Sequence, residues 1–230
     1  MNAERSRDSR SHLHARLPGG PRLRLGVLPP RRVGLLGGSF NPAHSGHLHV
    51  SREALKRLGL DEVWWLVAPQ NPLKSARGMA PFDARLAGAK RLARDPHIRV
   101  LDLERRLGTR YTVDTVTALR RLFPKIRFVW LMGADNLGQI RHWQRWTRIF
   151  AALPIAVFAR PTYCFNGLAG LAAKRYTRQR VGPHAARGLA DAEPPAWMFL
   201  PVKLDVSSAT EIRSNARPRG KARGRRRNIG

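Results

Sequence analysis

The sequence predicts a doubly wound α/β domain in which helices cover both faces of a parallel sheet. Two observations support this prediction. Short apolar runs, typical of buried parallel strands, alternate with segments of helical period, and the connections between them are short. Glycine or proline closes several of the runs, which is typical of the turns that follow strands. In such folds, ligands bind beyond the carboxyl ends of the strands.

Each predicted strand is an apolar run of four to seven residues, and the segment after most of them repeats its apolar residues at helical spacing. The predicted strands are 33–37, 63–67, 98–101, 128–133, 154–159 and 197–200. The first predicted helix has its apolar spacing over 48–58, and the others are 82–94, 112–123 and 143–150. Residues 162–195 lack a clear period and are predicted to form a loop with one short helix. This alternation implies βαβ units and a Rossmann-like fold.

The basic charge of the chain is unevenly distributed. Residues 1–32 hold eight Arg against two acids, and residues 214–230 hold six Arg and one Lys against none, so +15 of the net +28 lies between them. We expect 1–32 to be a disordered arm and 214–230 a low-complexity tail flanking a single domain over 33–213. Such charge attracts nucleic acid, an anionic surface or phosphorylated substrates, and the charge alone does not choose among them.

The single cysteine, Cys164, excludes an internal disulfide and suits a reducing compartment. No apolar run is long enough for a transmembrane helix, and the N-terminus lacks the apolar segment of a secretory signal. Its Arg-rich composition has a faint likeness to a transit peptide, but its prolines interrupt any amphipathic helix. We therefore predict a cytoplasmic protein without membrane contact.

The segment between Gly37 and His47 has the composition of a phosphate site. Gly37 and Gly38 follow the first predicted strand, so backbone amides can approach a ligand that a Cβ atom would block. Pro42 is placed to open the next helix, and His44 and His47 face the same way in its first turn. A helix N-terminus favours phosphate, and two imidazoles there can donate hydrogen bonds to an oxyanion.

Zinc is a competing interpretation of these histidines, because His49 follows closely. His49 points away from His44 and His47 on a helix, and no acidic or cysteine residue stands nearby to complete a site. One histidine at a helix start is usually a cap or a surface residue. Two of them after a glycine turn at a strand end favour an anion site without a metal.

A family resemblance rests on five segments in a fixed order. GGSFNPAHSGH at 37–47 resembles the HxGH motif of the nucleotidylyltransferase superfamily. The other segments are PQNPLK at 69–74, TRYTVDT at 109–115, GADN at 133–136 with HWQRW at 142–146, and SSATEIR at 207–213. Each is weak alone, but their order and spacing are specific. Over roughly residues 33–213 the chain is similar to bacterial nicotinate-nucleotide adenylyltransferases.

The resemblance implies adenylyl transfer from ATP to nicotinate mononucleotide, with direct in-line attack on the α-phosphate and release of pyrophosphate. The nucleophile is already an anion, so catalysis needs positioning and charge stabilisation and no covalent enzyme intermediate. His44 and His47 would be catalytic, and Mg²⁺ would arrive with ATP, because the sequence shows no carboxylate cage for it. The implied ATP-binding residues are Gly38, Ser39, Phe40, His44, Gly46, His47, Gly133, Asp135, Ser208, Thr210 and Arg213.

The implied acceptor-binding residues are Lys74, Tyr111, Thr112 and Trp143. Trp143 offers a stacking face for a pyridine ring, although it could equally be a core tryptophan. Tyr111 and Thr112 stand at a helix start, whose amides suit a carboxylate. Lys74 would add a phosphate contact.

Three alternatives stay open. The acceptor could be nicotinamide mononucleotide or phosphopantetheine, or the chain could be a nucleic-acid-binding protein on the same scaffold. The chain also departs from the family after Arg213, where a basic tail replaces further helical sequence, and Ala209 interrupts the Ser-Ser-Thr order. Non-specific contact of the tails with polyanions is a further expectation.

Overall fold

The architecture is a six-stranded, wholly parallel sheet flanked by helices. The structure, a computed structural model, describes residues 14–15, 23–24, 32–70, 78–159 and 167–202. The strands are β1 (His14–Ala15), β2 (Leu23–Arg24), β3 (Arg32–Gly38), β4 (Glu62–Val67), β5 (Ile98–Leu101), β6 (Arg127–Gly133), β7 (Ile155–Phe158) and β8 (Trp197–Leu200). The six predicted strands are therefore confirmed. β1 and β2 form a separate antiparallel ladder, with His14 opposite Arg24.

The order of the strands is β5-β4-β3-β6-β7-β8. The chain runs outward from β3 through β4 to β5 and then returns to place β6 on the other side of β3. In parallel sheets of this order the chain reverses direction next to the strand that comes first in the sheet, here β3. Ligands bind in the crevice that opens at this switch point. In this chain that crevice lies between the carboxyl ends of β3 and β6, so the doubly wound prediction is confirmed.

The helices occupy the connections between the strands. They are α1 (Ser45–Leu58), α2 (Phe82–Leu92), α3 (Leu103–Leu107), α4 (Thr112–Leu122), α5 (Ala134–Gln139), α6 (Trp146–Ala152) and Leu171–Arg175, with 3-10 helices at Ile140–His142, Thr177–Gln179 and Pro183–Asp191. The short helices α3 and α5 are not among the predicted ones. Residues 171–191 contain more regular structure than the predicted loop, since the 3-10 helix Pro183–Asp191 buries Ala186, Leu189 and Ala190.

The core lies on both faces of the sheet, as the apolar strands require. β4 illustrates this, because successive side chains on a strand point to opposite faces. Trp64 packs edge-on against Phe123 and Phe128, whereas its neighbour Trp65 stacks on Phe40. Both tryptophans are 1% exposed or less, so each face has its own aromatic cluster.

Two predicted helix starts are wrong. Helix α1 begins at Ser45, with His44 as its N-cap, and Pro42 lies in the preceding turn rather than in the first helical turn. Helix α6 begins at Trp146 rather than near Trp143, because Arg145 adopts a left-handed conformation (φ 48°) that a continuous helix cannot include.

The predicted terminal segments lie largely outside the described residues. β1 and β2 fall inside the predicted arm, which therefore contains a short antiparallel ladder, and the tail 214–230 is not described. Across the described ranges, no helix has the length and apolar character needed to span a membrane.

Candidate active site

The two histidines of the glycine-rich segment meet at the amino end of α1. His44 is the N-cap and is 5% exposed, and the centroids of the His44 and His47 rings are 3.9 Å apart. The His44 backbone amide donates a hydrogen bond to Nδ1 of His47 over 3.2 Å. Since Nδ1 accepts, a neutral His47 carries its proton on Nε2. The Nε2–H group of His47 can therefore act as a hydrogen-bond donor beside the helix N-terminus.

Phe40, Trp65 and Ser51 hold His47 in position. The Phe40 ring centroid lies 4.7 Å from the His47 ring and 5.0 Å from Trp65. The Trp65 indole N–H donates to Ser51 Oγ over 2.7 Å, and that hydroxyl donates to the His47 carbonyl over 2.8 Å. Trp65 and Ser51 are site residues that the sequence reading missed. The sequence does give one indication of this contact, because Ser51 is a polar residue at an apolar position of α1.

The two glycines at the end of β3 have different surroundings. A Cβ atom on Gly37 would lie 2.6 Å from the Trp130 indole, whereas one on Gly38 would lie 3.4 Å from the Phe40 ring, an ordinary contact distance. Gly37 therefore packs against Trp130, and the role of leaving room for a ligand stays a prediction. Ser39 follows Gly38, and Phe40 has a left-handed φ of 46°.

The other side of the crevice is the end of β6. Gly133 ends β6 and is the N-cap of α5, and Asp135 is half-buried in the first turn of that helix. β3 and β6 are hydrogen-bonded neighbours, so Gly133 and Asp135 flank the same switch point as the glycine-rich turn. The structure thus places two parts of the predicted ATP-binding set, 38–47 and 133–135, at the carboxyl edge of the sheet.

Three of the predicted acceptor residues, Tyr111, Thr112 and Trp143, lie on elements that contact one another. Tyr111 is the N-cap of α4 and Thr112 its first residue, as predicted. Arg145 Nη2 donates to Asp114 Oδ1 over 2.7 Å, which ties the first turn of α4 to the segment that follows Trp143. Trp143 is half-buried and meets Trp130 edge-on, with centroids 6.2 Å apart. Trp130 thus packs against both Gly37 and Trp143.

Several predicted site residues lie outside the described residues, namely Lys74, Ser208, Thr210 and Arg213. Their roles stay predictions. Within the part of the chain that the structure describes, no group of three or more His, Cys, Asp or Glu side chains is placed to hold a metal ion.

Two buried charged residues near the carboxyl edge of the sheet were not predicted from the sequence. Arg85 of α2 is 4% exposed and donates its hydrogen bonds to main-chain carbonyls, including that of Ser39. Glu104 of α3 is 6% exposed, and burial raises the pKa of its carboxyl to about 7. The spacing of Arg85 four residues before the buried Ala89 is the signal that could have identified it.

Comparisons with known proteins agree with this architecture. Residues 35–215 match the cytidylyltransferase-like family. The chain is 56% identical over 187 residues to the "Probable nicotinate-nucleotide adenylyltransferase" of Parvibaculum lavamentivorans, covering 81% of this chain and 93% of that protein. It is 54% identical over 185 residues to the protein of the same name from Cereibacter sphaeroides, covering 80% of this chain and 98% of that one.

Two similar solved structures show the same fold at low sequence identity. Both are of Plasmodium falciparum nicotinic acid mononucleotide adenylyltransferase, one complexed with APC and the other with NaAD. Their TM-scores are 0.60 and 0.61 at 16% and 17% identity, and each match covers 80% of this chain and 83% of the other. The fold, the site at its switch point and the identity to curated relatives agree: the chain belongs to the nicotinate-nucleotide adenylyltransferase family of nucleotidyltransferases.

Proposed function

We propose that this enzyme transfers the adenylyl group of ATP to nicotinate mononucleotide, a step of NAD biosynthesis. A phosphate oxygen of the mononucleotide attacks the α-phosphorus of ATP. As that P–O bond forms, the bond to the bridging oxygen breaks, so that deamido-NAD and pyrophosphate result. The acceptor assignment is supported by the names of the curated relatives, which are 54% and 56% identical to this chain.

The observation that carries the mechanism is the hydrogen bond between the His44 amide and His47 Nδ1. It fixes the proton of a neutral His47 on Nε2, next to the amino end of α1. A donor fixed in this way stabilises negative charge on the reacting phosphate without having to remove a proton. We infer that His44 and His47 stabilise charge in the transition state and that no covalent enzyme intermediate forms.

ATP would lie across the switch point, with its phosphates toward the amino end of α1. In this arrangement Gly38, Ser39, Phe40 and Gly46 surround the phosphates, and Gly133 and Asp135 flank the nucleoside from the end of β6. Ser208, Thr210 and Arg213 are assigned to the leaving pyrophosphate by family resemblance alone. Mg²⁺ is expected to enter as the Mg–ATP substrate.

Nicotinate mononucleotide would bind between α4 and the Trp143 segment. The amino end of a helix suits a carboxylate, and α4 begins at Thr112 with Tyr111 as its N-cap. The half-buried Trp143 offers its ring for stacking. Tyr111 and Thr112 begin this helix, and the Asp114–Arg145 bond holds the two elements together. Lys74 would contact the acceptor phosphate.

Release of pyrophosphate tests the function. The full chain is assayed with Mg–ATP and, separately, nicotinate mononucleotide, nicotinamide mononucleotide and phosphopantetheine. We expect the highest kcat/KM with nicotinate mononucleotide. Release with none of the three acceptors would refute adenylyl transfer, whereas a preference for another acceptor would change only the substrate.

Two substitutions at His47 test the mechanism. His47→Ala removes the donor and is expected to lower kcat by about 100-fold with little change in the KM for ATP, since the interaction strengthens in the transition state. His47→Gln keeps an N–H donor and should retain more activity than His47→Ala. Steady-state kinetics measures both, and an unchanged kcat in His47→Ala would exclude His47 from charge stabilisation.

We also propose that the basic segments 1–32 and 214–230 make non-specific contacts with polyanions, which their charge supports. The cytoplasmic location stays a prediction, supported by the single cysteine.

A further inference from the structure

Arg85 is a buried cation whose side chain donates hydrogen bonds to four main-chain carbonyls. Its guanidinium donates to the carbonyls of Ala80 over 3.0 Å, Ser39 over 2.5 Å, Ala68 over 2.8 Å and Pro69 over 2.7 Å. Among the described residues, no carboxylate forms an ion pair with it, and burial lowers its pKa. Burying a guanidinium without a countercharge is costly, so the four carbonyls must compensate for its lost hydration.

These carbonyls belong to three separate segments around the candidate site. Ser39 lies in the glycine-rich turn after β3, Ala68 and Pro69 follow the end of β4, and Ala80 leads into α2. A planar guanidinium with five N–H groups can hold several acceptors in fixed relative positions. Arg85 therefore joins the turn that approaches the triphosphate to the start of the segment that carries Lys74.

The Asn41 side chain reinforces the same connection. Its amide nitrogen donates to the Gly78 carbonyl over 3.2 Å, and its amide oxygen accepts from the Ala80 N–H over 3.2 Å. Phe40 lies between the bonds of Ser39 and Asn41 and has a left-handed φ of 46°. Non-glycine residues adopt this conformation at a cost, so the surrounding bonds must hold it.

The connection reaches His47 through the Phe40 side chain. Phe40 is 1% exposed, and its ring centroid lies 4.7 Å from that of His47. A change in the Ser39 carbonyl would therefore move Phe40 against the imidazole that faces the reacting phosphate. Shifts of this kind matter, because misplacement of a catalytic group by about 1 Å can cost about 100-fold in rate.

We propose that Arg85 is a positioning residue for adenylyl transfer: its guanidinium holds the glycine-rich turn in the shape that sets Phe40 against His47. The proposal rests on the proposed function. In this proposal the fixed arrangement of the guanidinium N–H groups matters more for kcat than the positive charge does. Arg85→Lys keeps the charge but loses the fork, and Arg85→Gln loses both.

The test measures kcat and the KM for Mg–ATP in the full-length parent, Arg85→Lys and Arg85→Gln with nicotinate mononucleotide as acceptor. Rates are divided by the folded fraction from near-ultraviolet circular dichroism, so that unfolding is not counted as lost catalysis. We expect kcat to fall by about 10-fold or more in both variants, with a smaller change in the KM for ATP. Arg91→Gln, on the exposed side of the same helix, is the matched control and should keep the parental kcat.

Two results would overturn the proposal. One is a folded Arg85→Gln variant with the parental kcat. The other is a loss confined to the KM for ATP that Arg85→Lys restores, which would make Arg85 a source of electrostatic attraction only. If Arg85→Gln does not fold, Arg85→Lys tests the proposal by itself: a lowered kcat supports the proposal, and the parental kcat overturns it. A parent enzyme without adenylyl transfer would refute the proposed function first, which separates the two failures.

Discussion

Adjacent glycines at the end of β3 show how one residue type can serve packing at one position and ligand access at the next. Gly37 lies beneath the Trp130 indole, and any Cβ atom there would meet the ring at 2.6 Å. Gly38 has its nearest such neighbour at 3.4 Å, so the protein itself leaves room for a methyl group. We therefore propose that the absence of a side chain at Gly38 leaves space for the triphosphate.

Alanine substitutions should separate these two roles. Gly37→Ala forces Trp130 to move and is expected to lower the free energy of unfolding by about 1–3 kcal/mol. Gly38→Ala should leave the unfolding free energy nearly unchanged and raise the KM for ATP, because the added methyl group occupies space assigned to the triphosphate. Urea denaturation and ATP kinetics measure the two effects.

The double variant Gly37→Ala with Trp130→Phe is the control for the packing effect. A smaller ring makes room for the methyl group, so the two changes should be less destabilising together than their separate effects sum to. Equal effects of Gly37→Ala and Gly38→Ala on both measurements would contradict the assignment.

Among the elements, helix α3 combines a short length with a buried carboxyl group. It has five residues, follows β5 closely, and ends at Gly108 in a left-handed conformation. Glu104 is buried in this helix, which raises the pKa of its carboxyl to about 7. Ionisation of Glu104 is therefore penalised in the folded protein but not in the unfolded chain, where its pKa is near 4.5.

The difference between the folded and unfolded pKa of Glu104 makes stability depend on pH in one direction. Between pH 4.5 and about pH 7 the folded protein binds more protons at Glu104 than the unfolded chain does, so stability falls as the pH rises. We expect Glu104→Gln, which resembles the neutral acid, to be more stable than the parent above pH 7 by up to about 3 kcal/mol. Near pH 4 the difference should vanish. Urea denaturation of both proteins across this range measures it.

The cause is burial rather than surface charge, so the difference between the parent and Glu104→Gln should persist at high salt. Parallel stability curves of the two proteins would show that Glu104 ionises as freely in the folded protein as in the unfolded chain.

For the molecule as a whole, the basic charge is concentrated in the segments 1–32 and 214–230, which flank the predicted domain. The match to the cytidylyltransferase-like family ends at residue 215, so most of the basic tail lies beyond it. Residues 1–32 and 214–230 together hold 15 of the 43 basic side chains. We therefore propose that catalysis needs residues 33–213 alone and that segments 1–32 and 214–230 contact polyanions.

Removal of residues 1–30 and 217–230 tests this division. We expect kcat and KM for adenylyl transfer to be retained, while binding to heparin or to a DNA duplex weakens and becomes less dependent on salt, since fewer cations contact phosphate. Salt titrations of the parent and the shortened chain measure the slope. Loss of catalysis in the shortened chain, while it remains folded, would contradict the assignment.

Local patterns determined much of this protein. Apolar runs predict all six strands of the sheet, because a strand buried on both faces of a parallel sheet needs consecutive apolar residues. The order of the five motifs indicates the family. The start of α4 at Thr112 also follows from sequence, whereas the start of α6 did not, because the left-handed Arg145 leaves no mark in the apolar period.

Only the tertiary structure decided which residues meet. The switch point depends on the pairing of β3 with β6, which are separated in the chain by β4, β5 and the helices α1 to α4. The reason for Gly37 lies in Trp130, and Arg85 bonds to the Ser39 carbonyl from 46 residues away. Contacts of this kind are set by the packing of distant segments, and no local pattern in the sequence records them.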